Sequence, residues 1–175
     1  DNKAWWRAHV GLQYMGGAAM LAALALILLA GGAGTSTHAW LGWVVAGMAA
    51  LQFFAGWLRG TKGGPTDDVM AGDHFDMTRR RLIFEHVHKF AGYALMLLAC
   101  AGLVTGLWQA NAPVWMWIGL GLWWVLFIAA FAICQRRGMA IDTYQAIWGP
   151  DPALPGNRRA PIGWGVRRSG GGREV

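Results

Sequence analysis

The sequence predicts an all-α membrane protein, with four transmembrane helices in an up-down bundle. Three observations carry that prediction. Of 175 residues, 55% are hydrophobic and 14% charged, against about 45–50% apolar and about 25% charged in a soluble domain. Residues 8–58 contain no Lys, Arg, Asp or Glu, and neither do residues 90–135. A bilayer-crossing helix takes about 20 apolar residues, so each stretch holds two helices and a turn. No strand alternation appears, and helices satisfy the backbone best inside lipid. A soluble domain, a DNA-binding domain and an extracellular disulfide scaffold are excluded. Cys100 and Cys134 both fall in apolar runs, where thiols act as small packing residues.

The first helix is expected over residues 6–29, ending at the glycine-rich turn 31–37. The second follows over 38–58. A polar segment, 59–79, carries Gly63-Gly64-Pro65 and the aspartates Asp67, Asp68, Asp73 and Asp76. The third helix is expected over 80–107, broken by Asn111-Ala112-Pro113 before the fourth, 114–134. Residues 1–137 thus form a membrane domain and 138–175 a basic tail. The tail holds Pro150, Pro152, Pro155 and Pro161 and two arginine pairs. Residues 140–148 suit one short interfacial helix, and 169–172 read as disordered.

Orientation follows from charge. In an up-down arrangement all 15 Lys and Arg residues lie on one side or at its edge, and the two opposite turns carry none. The positive-inside rule makes that side cytoplasmic. The net charge of +6 therefore orients the chain and does not call for nucleic acid. The expected setting is a multi-pass protein of the cell inner membrane, both termini of this chain cytoplasmic and membrane lipid its first partner. Tryptophans near the helix ends, Trp5, Trp6 and Trp57 on one side and Trp40, Trp43, Trp108, Trp115 and Trp117 on the other, fit interfacial belts.

Histidines carry the chemistry. His74 stands between aspartates in the polar segment and is expected to be solvated. His9, His38, His86 and His88 lie in or at the ends of helices, where ionisable residues are functional by default. Such a histidine either bonds a neighbouring helix or ligates a metal or haem iron. His9 and His88 enter the membrane from the same side at similar depth and can share one iron between helices. His38 begins the second helix on the other side. Gly42 and Gly92 follow His38 and His88 by four residues, on the same face, leaving room for a flat porphyrin. His9 has Gln13 at that place, a poorer surface. His86 points away from His88. Arg81 and Lys89 suit haem propionates and equally suit interfacial anchoring, as do Lys3 and Arg7 for an anionic reductant. No Cys-x-x-Cys-His run occurs, so covalent attachment of a c-type haem is excluded.

The runs Trp5-Trp6-Arg7-Ala8-His9-Val10-Gly11-Leu12-Gln13, His38-Ala39-Trp40-Leu41-Gly42 and Glu85-His86-Val87-His88-Lys89-Phe90-Ala91-Gly92 resemble the cytochrome b561 family over residues 5–135. The resemblance implies a four-helix core whose four histidines hold two b-type haems, one near each membrane face, and electron transfer across the membrane. Eukaryotic members oxidise ascorbate and reduce ferric iron or monodehydroascorbate. His9, His38 and His88 match three of the ligands, with Gln13, Gly42, Gly92 and Lys89 beside the cofactor. The family's fourth ligand, in a His-Gly motif on an earlier helix, has no counterpart here. The chain begins with Asp1 and is expected to lack its first helix or helices. One haem b then belongs to this chain and a second to the full-length protein; a single-haem protein, or a ligand from another subunit, are the alternatives.

The resulting expectation is a b-type cytochrome carrying electrons through bis-histidine haem, from a quinol or an ascorbate-like reductant, with transmembrane reductase activity left open. Two other classes fit the same residues. One is a quinone-linked cytochrome anchor for a partner subunit, or a homodimer. The other is a non-redox accessory membrane subunit.

Overall fold

The apolar stretches are helical in the structure, a computed structural model describing residues 4–32 and 34–168. Helix α1 spans Ala4–Leu29, α2 Thr37–Trp57, α3 Arg79–Gln109 and α4 Val114–Arg136. Each is long and apolar enough to cross a membrane, which gives the chain the character of a membrane protein. Their ends fall within two residues of the expected ones. Neither α1 nor α4 contains a buried residue. Helices this apolar with no buried face are suited to lipid and not to water. Lys3, Ala33, the 169–172 run and Arg173 lie outside the described residues.

The helices stop by local chemistry. Ser36 caps α2, its Oγ accepting from Ala39 N at 3.2 Å. Thr78 caps α3, accepting from Arg81 N at 3.4 Å. Three helices end in the same two-bond motif with a left-handed residue. At the end of α1, Gly32 N donates to Ile27 O and Gly31 N to Leu28 O. At the end of α3, Ala112 N donates to Leu107 O and Asn111 N to Trp108 O; Asn111 takes φ 46°. At the end of α4, Met139 N donates to Cys134 O and Gly138 N to Gln135 O. Pro113 then starts α4 directly after the α3 stop, at φ −62° and ψ 151°.

The chain divides into two compact units, Asp1–Phe53 with Ala91–Ala112, and Phe54–Phe90 with Pro113–Val175. In the first, Gly17 lets the Phe53 ring approach α1; a Cβ there would lie 2.8 Å from Phe53 Cζ. Tyr14 and Phe53 rings sit 5.8 Å apart.

The second unit joins the polar segment to the tail. The polar segment folds back on itself through His74 N to Thr61 O and Phe75 N to Lys62 O, both 3.0 Å. Its two arms touch at Gly63 and Gly72, where a Cβ on Gly63 would lie 2.6 Å from Gly72 N. The tail supplies helix α5, Thr143–Trp148, and a 3-10 turn, Pro155–Arg158. At six residues, α5 is far too short to span a bilayer. Asp142 caps it by accepting from Tyr144 N. Among the described residues no strand forms; Ile141 and Arg167 make an isolated parallel bridge.

This unit has a small core of Met77, Tyr144 and Ile162, flanked by Leu82, Trp148 and Leu154. Tyr144 is 1% exposed, and its hydroxyl donates to Phe75 O at 2.7 Å. Arg168 ties the tail to itself, with Nε to Asp142 Oδ2 at 2.6 Å and Nη2 to Gly156 O at 2.9 Å. The expectation of a solvated His74 is corrected here. His74 is 5% exposed, packed edge-on against Tyr144 at 5.7 Å and tilted against Trp148 at 6.0 Å. Its aspartate neighbours turn outward to cap backbone: Asp73 takes Thr61 N and Asp76 takes Gly72 N. Local composition says polar loop, and the covering tail decides otherwise.

Candidate functional site

Among the candidate residues, His38 bonds a neighbouring helix. It sits in the second position of α2, half-buried, and its Nδ1 lies 3.1 Å from Gly102 O of α3. A carbonyl only accepts, so the proton is on Nδ1 and the lone pair of the neutral ring is on Nε2. This is the form in which an imidazole binds a metal ion, held in orientation by its other nitrogen. Thr105 Oγ1 donates to the same Gly102 oxygen at 3.1 Å.

Gly106 completes the seat. A Cβ on Gly106 would lie 2.8 Å from His38 Cε1, 3.1 Å from Nδ1 and 3.4 Å from Nε2. Any larger residue would push the ring out of place. Beside it opens a groove of about 490 Å3 lined by Ser36, Thr37, His38, Val104, Thr105, Trp108 and Gln109. One turn along α2, Gly42 is exposed, and a Cβ there would meet nothing within 4 Å. Gly102 and Gly106 were not among the expected site residues, because contact between two helices leaves no periodic mark in either sequence.

The other histidines are placed as follows. His9 lies on an exposed face of α1, its ring 6.1 Å from that of Trp6 and tilted by 32°; Gln13 is exposed one turn on. Both belong to the first unit. His88 belongs to the second, half-buried on α3 and stacked on Phe84 at 5.2 Å and 20°. His86 is exposed, with Nδ1 2.8 Å from Leu82 O, and its ring stacks along the helix on Phe90. The two neighbours thus turn to different flanks of α3. Gly92, in the first unit, has Gln52 against it: a Cβ would lie 3.4 Å from Gln52 Nε2.

Lys89 is engaged within the protein. Its Nζ donates to Glu85 Oε2 at 3.0 Å and to Ile162 O at 2.8 Å. Arg81 meets Glu85 from the previous turn, Nε to Oε1 at 2.9 Å. Glu85 is 4% exposed, a buried carboxylate with a cation one turn to either side. Arg81 also donates to Arg59 O at 3.2 Å, tying α3 to the end of α2.

Burial by the tail pushes His74 down to about 4, with the Arg81 charge adding to the effect. Its Nε2 is buried with no hydrogen-bond partner, as suits an uncharged ring in an aromatic pocket. Among the described residues no group of three or more His, Cys, Asp or Glu side chains could hold a metal ion. No protein-family model, curated protein or solved structure matches the chain.

Proposed function

We propose that this chain is a membrane b-type cytochrome, carrying electrons across or within the cell inner membrane through histidine-ligated haem. The observation that carries the reading is the His38 seat: Nδ1 bonded to Gly102 O, the ring against Gly106, and open space one turn on at Gly42. That donor set fits a b-type haem, which needs an oriented neutral imidazole and a flat helix surface. Bound haem would supply one-electron chemistry at iron. The protein's part is to fix the imidazole and satisfy the Gly102 carbonyl through two donors.

Sequence supports the rest of the reading. His9 and His88 are the remaining ligands of the proposal, and the distribution of Lys and Arg makes the side bearing residues 59–79 and 138–168 cytoplasmic. The donor is proposed to be a quinol or another small reductant. The deciding experiment is a reduced-minus-oxidised spectrum of the purified chain with extraction and counting of haem. A b-type spectrum is expected. A colourless protein that purifies intact and folded in membranes would leave the non-redox accessory class standing instead.

A further inference from the structure

We propose that the end of α4 and the bridged tail segments beside it form a surface that takes anionic phospholipid headgroups. The proposal rests on the reading that the chain lies in a membrane with this end at the cytoplasmic face. The tail returns to α4 after leaving it. The Trp164 ring lies 6.3 Å from that of Phe131, tilted by 36°. Phe131 is five residues before the last residue of α4, roughly 7.5 Å along the axis at 1.5 Å per residue. The indole therefore lies alongside the final turns of a spanning helix. Next to it, Gly165 backs onto Gln135; a Cβ there would lie 2.7 Å from Gln135 Nε2. The Ile141–Arg167 bridge holds the strip in register, through Asp142 N to Arg167 O at 2.9 Å and Arg167 N to Ala140 O at 2.8 Å.

Side chains on this strip are sorted into two sets. Tyr144 and Ile162 enter the core, at 1% and 7% exposure, while Trp164, Met139 and Ile141 remain 79%, 64% and 52% exposed. A fold able to bury Ile162 leaves Trp164, two residues later, outside. An outward indole is costly in water and favoured at a membrane interface.

Charge identifies the partner. Arg136, Arg137 and Arg167 are exposed among these apolar groups. Asp142, the nearest acid in sequence, is buried and paired with Arg168, and no acid occurs between residues 152 and 168. Apolar side chains with a rim of exposed arginines suit anionic lipid.

The test uses the full chain in vesicles of phosphatidylcholine carrying a trace of spin-labelled phosphatidylglycerol or spin-labelled phosphatidylcholine. The fraction of label immobilised on the protein measures relative association. Phosphatidylglycerol is expected to associate several-fold more strongly, falling to parity in Arg136→Gln/Arg137→Gln/Arg167→Gln and partway in Trp164→Ala. Equal association of the two lipids with the unaltered chain overturns the proposal. So does a preference that the triple variant leaves unchanged, since it then arises at other arginines. Haem absorbance read on the same vesicles separates this from the functional reading. Lipid preference in colourless vesicles sinks the cytochrome alone, and coloured vesicles without preference sink the lipid surface alone.

Discussion

At the scale of single residues, His38 and Gly106 form one unit of chemistry. Replacing Gly106 by Ala places a methyl 2.8 Å from His38 Cε1, closer than carbon atoms tolerate, while leaving the imidazole present. On the proposed function, His38→Ala should remove the haem on that side, and Gly106→Ala should lower its occupancy or broaden its spectrum. Haem-to-protein ratios of the two variants check this; an unaltered ratio in both would make His38 a structural residue. His74 gives a second prediction at this scale. Its folded value, about 4, lies below the ordinary 6.5. The unfolded chain therefore binds the proton first as pH falls, and stability rises with pH between those values. The contribution is complete above 6.5 and fades toward pH 4, on the order of 3 kcal/mol in all at 1.36 kcal/mol per unit. Melting of the tail unit across that window should show the slope, and His74→Phe should flatten it.

At the scale of elements, the four long helices were legible because nothing local competes with an uncharged apolar run. Their stops were legible too: Gly31, Asn111 and Gly138 sit where a left-handed residue is needed, and Pro113 follows the second of them. The contacts of His38 were not legible. Gly42 showed in the spacing, whereas Gly102 and Gly106 lie far along the chain on α3. His74 was read wrongly because its burial depends on Tyr144 and Trp148, remote in sequence. The first turns of α3 were legible only as charge. Arg81 and Lys89, spaced by eight, read as propionate partners or interfacial anchors, and the structure pairs both with the buried carboxylate of Glu85 midway between them. Removing the centre of such a set strands two cations. Glu85→Ala should destabilise the tail unit by about 3–5 kcal/mol, and Lys89→Met by less, because Lys89 is the more exposed partner. Thermal unfolding followed by tail proteolysis measures both. Equal losses would mean that the bond from Lys89 to Ile162 O matters more than the ion pair.

At the scale of the whole molecule, every basic residue was assigned to one face from sequence, and this sidedness is testable without reference to haem. In a Cys100→Ala/Cys134→Ala background, Thr35→Cys should react with a membrane-impermeant thiol reagent from outside the cell. Asp68→Cys and Arg158→Cys should react only in inverted vesicles. The opposite pattern would turn the chain over. The unit that joins the polar segment to the tail also has a history in time. Met77 and His74 leave the ribosome long before Tyr144, Trp148 and Ile162, the tail residues packed with them. Until then the polar segment has helices at both ends and no interior of its own. Arrested nascent chains ending before residue 144 should leave residues 59–79 open to protease, and chains released beyond residue 168 should not. Burial of His74 thus marks the docking of Tyr144 and Trp148 on the polar segment, an event that follows release of the tail.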